Sequence, residues 1–400
     1  RDGGGGAGAG PVPLGALRLF LVAGEPSGDR LGAALMAGLR RLAPDVRFSG
    51  VGGPGMEGQG MASLFPMQDL SVMGLAEVLP KYRALRRRLH QTAAAVLADP
   101  PDALVTIDSP DFCLRLAGLV RTARPGLRTI HYVAPSVWAW RPGRAAKMAR
   151  VIDHVLALLP FEPPYMTAAG MTCDFVGHPV VAEPVASPAE RRAFDGQGPL
   201  ILCLPGSRRA EIDRIAPVIG TTLALLQARF PDLRAVLPTL PHLRPQIEHH
   251  TAVWPLRPRI VTDPGLKRGA FAAADAAVAA SGTVSLELAA AGCPMVIAYD
   301  MNPVTLWLMR RMARVDTVTL VNLVSDTRAI PEFIGRDARA ARIAPALARL
   351  LTDPAERAAQ VAAMDLTMQR LGRGGEAPGL RAARSVLAAI ARGDTGQALS

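Results

Sequence analysis

The chain has 400 residues and a formal net charge of +11; half of its residues are hydrophobic but only 4% are aromatic. This length exceeds what one hydrophobic core ordinarily supports, and cores of Ala, Leu and Val suit α/β packing better than a β-sandwich. The positive charge predicts an anionic partner, so nucleic acid, phosphorylated substrates and an acidic membrane surface all stay open.

The first half of the chain alternates strand-length apolar runs with helical patterns, which is typical of parallel βαβ units. Before it, residues 1–15 are rich in glycine and proline and are predicted to form a disordered tail. The predicted strands are 17–23, 46–51, 103–107, 128–133, 154–158 and 173–176. The predicted helices are 29–42, 76–98, 112–124 and 144–150.

The second half repeats this alternation after a segment rich in Pro, Ala and charge, 181–198, which is predicted to be a linker. The predicted strands are 200–204, 233–237, 259–261, 276–279 and 295–299. The predicted helices are 211–229, 267–274, 284–291 and 304–313, and only helices follow residue 337. We therefore predict an α/β protein with two Rossmann-like domains, 16–180 and 199–375, facing a central cleft. A C-terminal helix, 376–400, is expected to pack back toward the first domain.

Two turns of the second half predict an anion site. The sequence LPGSR at 204–208 follows an apolar strand and opens a helix, so free N–H groups and the positive end of the helix dipole lie at this turn. Arg208, beside Ser207, adds a cation at the same place. The turn ASGT at 280–283 has the same context, and Glu287 lies about one helical turn further on, within reach of a ribose diol. The turn supplies Ser281, Gly282 and Thr283.

In the first half, Asp108 ends an apolar strand at the sheet edge where open α/β folds bind ligands. A general base and a structural partner both fit an acid in this place. His131 lies within the next strand, where a core histidine is favoured over a catalytic one. The loop after it carries Trp138 and Trp140, which either form a hydrophobic plug, stack on a sugar or guard an acyl pocket.

Two further sequence features leave their roles open. The turn GEPSGD at 24–29 lacks the dinucleotide-binding spacing, so Ser27 and Gly28 belong either to a tight βα turn or to a sugar-binding loop. Asn322 is an amide between aliphatic residues, which suggests a specific hydrogen bond or a turn cap. No metal-ligand spacing is present, so neither a metal nor another cofactor is expected.

Taken together, the motifs are similar to those of the lipid A disaccharide synthases, a family of bacterial glycosyltransferases with the two-domain GT-B fold. The similarity runs from about residue 17 to 391 and includes VAGEPSGD, IDSPDF, IHYVAPSVWAWR, LPGSRRAE, ASGTVSLE and LVNLV in this order. Proline after Glu25 and serine after Asp108 depart from the frequent alanine of the family, without changing a proposed polar group.

The resemblance implies an inverting enzyme of lipid A (lipopolysaccharide) biosynthesis. It implies transfer of 2,3-diacylglucosamine from UDP-2,3-diacylglucosamine to the 6-hydroxyl of 2,3-diacylglucosamine 1-phosphate, which forms a β-1,6 disaccharide 1-phosphate and UDP. The residues that match essential family positions are Asp108, Arg208 and Asn322. UDP is then expected on the second domain, held by Ser207, Ser281, Gly282, Thr283 and Glu287. Ser27 and Gly28 of the first domain are expected to bind the sugar or acyl-sugar part of a substrate.

Acylated substrates imply a peripheral position on the cytoplasmic face of the inner membrane, without a membrane-spanning helix. Apolar residues followed by a basic cluster suggest an interfacial patch, although an ordinary amphipathic helix fits as well. The predicted patch consists of Leu70, Val72, Met73, Leu75, Arg86, Arg87 and Arg88. A homodimer is compatible with the sequence, which does not fix the oligomeric state.

Two other functions fit parts of the sequence. A UDP-sugar epimerase of the same fold would share the helix that follows ASGT and an acid, here Glu287, that binds the ribose hydroxyls. A nucleic-acid-binding protein would explain the net charge, but the chain lacks the known recognition patterns of that class, and no nucleic acid is expected.

Overall fold

The computed structural model describes residues 16–70, 78–139, 143–280, 282–301, 311 and 315–397. Within these ranges the chain forms two parallel six-stranded sheets with helices packed around them. The predicted α/β class is therefore confirmed. The predicted helix 304–313 lies outside the described residues except for Arg311.

The first unit is built on six strands, of which β3 and β5 are buried along their whole lengths because helices cover both faces of a parallel sheet. Its strands are β1 (Arg18–Ala23), β2 (Arg47–Val51), β3 (Ala103–Ile107), β4 (Arg128–Tyr132), β5 (His154–Ala157) and β6 (Thr172–Phe175). Its helices are α1 (Pro26–Leu42), α2 (Pro54–Gly58), α3 (Val78–Ala98), α4 (Pro110–Ala123), α5 (Gly143–Met148) and α6 (Pro163–Thr167). The strand order is β2-β1-β3-β4-β5-β6.

The second unit repeats this architecture with a different strand order, β12-β11-β10-β7-β8-β9. Its strands are β7 (Leu200–Leu204), β8 (Arg234–Pro238), β9 (Arg259–Val261), β10 (Ala276–Ala279), β11 (Met295–Tyr299) and β12 (Glu332–Ile334). Its helices are α7 (Pro188–Arg192), α8 (Arg209–Gln227), α9 (Arg244–Thr251), α10 (Pro264–Ala273), α11 (Val284–Ala291), α12 (Leu320–Ser325), α13 (Ala340–Thr352), α14 (Pro354–Arg370) and α15 (Pro378–Gln397).

Each sheet has a point where the strand order reverses, and a crevice opens there at the carboxyl ends of the strands. In the first sheet this point lies between β1 and β3, where Ala23 pairs with Ile107. In the second sheet it lies between β7 and β10, where Leu204 pairs with Ala279. The turns 24–29, 204–208 and 280–283 and the acid Asp108 follow directly on these four strands.

The final helix, α15, crosses back and packs against α1 of the first unit. Two glycines permit the close approach, because a Cβ on Gly38 would lie 2.6 Å from the carbonyl oxygen of Gly379. Polar contacts fix the same helix to the sheet: Ser385 donates to Asp174 over 2.6 Å, and Arg381 donates to the carbonyl of Phe175 over 2.7 Å.

Several predicted boundaries differ from those observed. Helix α1 begins at Pro26 rather than at residue 29, because proline is compatible with the first turn of a helix, where the N–H has no partner. The predicted linker contains α7, which begins with a capping box at Ser187 and contacts α10 through an ion pair of Glu190 with Arg268 at 2.5 Å. Strand β12 and helix α12 were not predicted.

Candidate active site

A cavity of about 320 Å³ opens at the carboxyl edge of the first sheet, and we call it the Asp108 cavity. Three segments form it: the end of β3 with the start of α4, the end of β4 with its loop, and helix α5. Its lining residues are Asp108, Pro110, Asp111, Leu114, His131, Val133, Ala134, Pro135, Ser136, Arg144, Lys147 and Met148.

The backbone beside this cavity is strained. Asp108 and Ser109 have φ of 52° and 43°, and Val133 on the adjacent loop has φ of 87°, which is unfavourable for a β-branched residue. The Asp108 N–H donates to the carbonyl of Tyr132 over 2.9 Å, so the two strained loops are tied together. Gly24 has no room for a side chain here, since its Cβ would lie 2.7 Å from Ser109 Oγ. Such strain persists where surrounding structure enforces a particular placement, here that of the Asp108 carboxylate.

His131 contributes a neutral imidazole to the wall of the same cavity. Its ring is buried, and its Nδ1 lies 2.7 Å from the hydroxyl oxygen of Thr106 on the neighbouring strand. Burial lowers the pKa of His131 to about 4, so the ring is uncharged near neutral pH. The structure thus places this histidine both in the sheet interior and against the candidate site.

A second cavity, of about 460 Å³, opens at the switch point of the second sheet, and we call it the Arg208 cavity. Five predicted residues lie together on its wall: Ser207, Arg208, Gly282, Thr283 and Glu287. Four further lining residues belong to the motifs LPGSR and ASGTVSLE: Leu204, Gly206, Ala280 and Val284. The sequence did not single out the remaining ones, which are Glu211, Pro238, Thr239, Leu240, Leu243, Lys267 and Phe271. Ser281 lies outside the described residues.

Both turns at the Arg208 cavity require glycine. Gly206 and Gly282 have φ of 115° and 135°, a conformation that residues with a side chain rarely adopt. The turns bring the chain directly into α8 and α11, whose first N–H groups lack helical partners. An anion bound here therefore meets the positive ends of two helices.

Each cation of the Arg208 cavity is paired with a carboxylate. Arg208, whose side chain is 79% exposed, donates to Glu211 over 2.9 Å. Lys267 contacts Glu287 at 2.5 Å. Because both cations are exposed to solvent and ion pairs of such cations are weak, a bound diphosphate would readily compete for either one.

Apolar packing joins the two carboxyl edges. Trp138 and Leu159 of the first unit belong to the same buried cluster as Leu204, Ala279 and Leu286 of the second. Trp138 therefore forms a hydrophobic plug between the units, one of the alternatives left open by the sequence. Its partner Trp140 lies outside the described residues.

Glu162 fixes the position of this tryptophan and was not predicted from the sequence. Its buried carboxylate accepts hydrogen bonds from Trp138 Nε1 at 3.3 Å and from the N–H groups of Leu158 and Leu159 at 3.1 and 2.9 Å. Burial raises the pKa of Glu162 to about 7, while these three donors oppose the shift. No hydropathy or spacing pattern distinguishes such a residue from an ordinary loop glutamate.

Asn322 lies in the second unit, is 1% exposed and does not line either cavity in the described structure. Its amide spans the loop that follows α12: Nδ2 donates to the carbonyl of Ile330 over 2.9 Å, and Oδ1 accepts from the Ile330 N–H over 3.0 Å. Nδ2 also donates to Thr317 over 3.2 Å. These contacts describe a residue that fixes backbone rather than one that reaches into a cavity.

Ser27 and Gly28 lie in the first turn of α1, and neither lines the Asp108 cavity as described. Ser27 is exposed, whereas Gly28 is buried. Asp29, the next residue of α1, accepts hydrogen bonds from the N–H groups of Gly53, Gly55 and Met56 at 2.8–3.0 Å. This part of the turn therefore connects α1 to the start of α2.

The predicted interfacial patch requires a correction. Leu70 is 8% exposed because it packs in the core of the first unit, so it does not belong to a surface patch. Arg88 donates to Asp69 over 2.5 Å and lies 4.5 Å above the ring of Phe65. Arg86 and Arg87 are exposed on α3, and the apolar residues Val72, Met73 and Leu75 lie outside the described residues.

Comparison with known proteins identifies the family. A family model described as lipid-A-disaccharide synthetase matches residues 19–378. The lipid-A-disaccharide synthase of Ruegeria pomeroyi is 60% identical over 397 residues, covering 95% of this chain and 98% of the relative. The chain belongs to the lipid-A-disaccharide synthase family. The Rhodospirillum centenum member is 48% identical, covering 94% of this chain and 95% of its own length. Family membership confirms the expected glycosyltransferase of lipid A biosynthesis.

Solved structures with a similar fold include enzymes of two kinds. UDP-GlcNAc 2-epimerase from Neisseria meningitidis, bound to UDP-GlcNAc, has a TM-score of 0.62 at 11% identity and covers 94% of this chain and 99% of its own. The calicheamicin glycosyltransferase CalG4 has a TM-score of 0.56 at 17% identity and covers 95% and 99%. At these identities the similarity supports the GT-B fold alone, whereas sequence identity places the chain among the synthases rather than the epimerases.

Two features of the described residues bear on partners. Every helix among them is too short or too polar to cross a membrane. No three His, Cys, Asp or Glu side chains in this part of the chain are grouped as a metal-ion site requires.

Proposed function

We propose that this enzyme transfers 2,3-diacylglucosamine from UDP-2,3-diacylglucosamine to the 6-hydroxyl of 2,3-diacylglucosamine 1-phosphate. The products are a β-1,6-linked disaccharide 1-phosphate and UDP, and the anomeric configuration is inverted. One observation carries the proposal. The Asp108 cavity, which supplies an acid, and the Arg208 cavity, which has phosphate-binding features, each lie at the switch point of a sheet, and apolar packing joins the carboxyl edges of the two sheets.

Asp108 is the proposed general base for the acceptor hydroxyl. As the acceptor oxygen forms a bond to the anomeric carbon of the donor, its proton passes to the Asp108 carboxylate. The strained loop holds this carboxylate in the cavity wall, so little conformational freedom is lost when the substrate binds. His131, uncharged and anchored by Thr106, borders the same space and can hydrogen-bond the acceptor sugar.

On the donor side, the bond between the anomeric carbon and the diphosphate oxygen breaks, and its electron pair stays on UDP. Arg208 and the N–H groups after Gly206 and Gly282 are proposed to stabilise the developing charge. Glu287 is proposed to accept hydrogen bonds from the ribose hydroxyls, with its carboxylate oriented by Lys267 at 2.5 Å.

The function is tested by incubating the purified chain with both lipid substrates and analysing the products by mass spectrometry. We expect the disaccharide 1-phosphate and one equivalent of UDP. Proton NMR of the new anomeric centre reports the linkage and configuration. An α-linked product would contradict inversion, and turnover of UDP-GlcNAc alone to an epimer would favour the epimerase alternative.

Asn322 is proposed to act as a positioning residue. Replacing it by Ala would leave the buried N–H and carbonyl of Ile330 without partners, which costs about 2–4 kcal/mol of unfolding free energy. We expect a lower melting temperature together with reduced kcat. Ser325, also buried on α12 but bonded only to Thr327 in the described structure, provides the control S325A. Loss of activity in Asn322→Ala without loss of stability would contradict the positioning role.

We also propose that α3 brings the enzyme to an anionic membrane surface on the cytoplasmic face of the inner membrane. Arg86 and Arg87 are exposed and have no ion-pair partner among the described residues. The double variant R86E/R87E is expected to float less than the unaltered enzyme with vesicles containing phosphatidylglycerol. This difference should become smaller at higher salt, because salt screens the charges. R244E/R257E makes the same charge change on the second unit, and equal loss of flotation in both variants would contradict a specific role of α3.

A further inference from the structure

Two cations of the Asp108 cavity have no role in the function described above. Arg144 and Lys147 lie three residues apart on α5, so their side chains project from the same face of the helix. Both are exposed, both line the cavity, and neither forms an ion pair or side-chain hydrogen bond with another described residue. Within the part of the chain that the structure describes, they are thus two cations without ion-pair partners at the candidate reaction centre.

The two carboxylates of the Asp108 cavity lie on a different segment from its two cations. Asp108 and Asp111 come from the end of β3 and the first turn of α4, and neither forms an ion pair with the α5 cations in the described structure. A bound phosphate dianion is attracted to α5 and repelled by the two carboxylates. The cavity therefore discriminates between the two ends of a phosphorylated ligand.

This polarity fits the geometry of the acceptor. In the α-anomer of 2,3-diacylglucosamine 1-phosphate, the phosphate on C1 and the hydroxymethyl group that carries the reactive 6-hydroxyl lie on opposite faces of the sugar ring. If the phosphate contacts α5, the 6-hydroxyl is directed away from the cations and toward Asp108. Arg144 can bind two phosphate oxygens through its planar guanidinium, while Lys147 provides a compact charge.

We propose that Arg144 and Lys147 bind the phosphate of the acceptor and thereby orient its hydroxyl toward Asp108, an inference that rests on the proposed function. The two residues then determine specificity for a phosphorylated acceptor. Neither takes part in bond making, so their contribution falls mainly on acceptor binding.

The test compares two acceptors, 2,3-diacylglucosamine with and without its 1-phosphate, in the unaltered enzyme and in R144A/K147A. Loss of hydrogen bonds to a charged group predicts that kcat/KM for the phosphorylated acceptor falls about 10- to 100-fold, chiefly through KM. With the phosphate-free acceptor, the two enzymes should have similar kcat/KM values. R144K/K147R, which keeps both charges, should recover part of the loss.

Arg150→Ala is the matched control, because Arg150 is exposed just beyond α5 and does not line the cavity. Melting temperatures check that each variant is folded. Equal losses with both acceptors would overturn the inference, as would a rise confined to the KM of the UDP-linked donor. If the unaltered enzyme forms no disaccharide from either acceptor, the proposed function itself is wrong.

Discussion

Asp108→Asn is expected to reduce disaccharide formation about 100- to 10,000-fold, the range associated with loss of a general base. Asparagine keeps the size and hydrogen-bonding geometry of the side chain but does not take up a proton near neutral pH. It also tolerates the left-handed backbone found here, φ of 52°, better than alanine does. Steady-state rates with saturating substrates, together with circular dichroism, measure the effect separately from folding.

Asp111→Asn is the control for this experiment, since Asp111 lines the same cavity from the first turn of α4. Its charge change alters the local potential to a similar extent but removes no proposed proton acceptor, so we expect a small effect. A near-normal rate in Asp108→Asn would exclude Asp108 as the base. If His131→Gln then abolished turnover, the neutral imidazole beside it would be the proton acceptor.

Much of the fold follows from local sequence patterns. Buried parallel strands read as short apolar runs, and β3, β7, β10 and β11 occupy the predicted positions. The edge strand β9, which is only partly buried, also lies where it was predicted. Strand β12 contains three residues, and its placement depends on a distant contact: Glu332 accepts hydrogen bonds from Thr317 and from the N–H of Thr319 at 2.6 and 2.7 Å.

The site residues also differ in whether local sequence or distant contacts determine their position. Ser207, Arg208, Gly282 and Thr283 stand in turns directly after strands, so the position of each in the sequence already fixes the sheet edge where it lies. Lys267, Arg144 and Lys147 reach their cavities from helices, where the sequence shows only exposed basic residues. Tertiary packing decides which surface of a helix borders a cavity. Hydropathy and residue spacing along the chain therefore do not predict which basic residues of a helix face the cavity.

Arg208→Ala is expected to lower kcat about 100- to 1,000-fold, the cost of removing one group that stabilises transition-state charge. Arg208 occupies the N-cap position of α8, but its exposed side chain makes no capping hydrogen bond and does not support the core, so the fold should be retained. Its ion pair with Glu211 joins a largely exposed guanidinium to a carboxylate that is 16% exposed, and a pair with one partner in water contributes little to stability. The KM for the UDP-linked donor should change much less than kcat, because charge on the diphosphate increases as the glycosidic bond breaks.

The adjacent Arg209 is the appropriate control for Arg208, because it is exposed on the same helix turn but does not line the cavity. Arg209→Ala changes the net charge equally and should leave kcat close to that of the unaltered enzyme. Added guanidinium should partly restore turnover in Arg208→Ala if the missing group acts on the leaving diphosphate. A variant that loses only donor affinity, with kcat intact, would instead show that Arg208 binds ground-state substrate. In that case the N–H groups at the starts of α8 and α11 would carry the stabilisation of the leaving group.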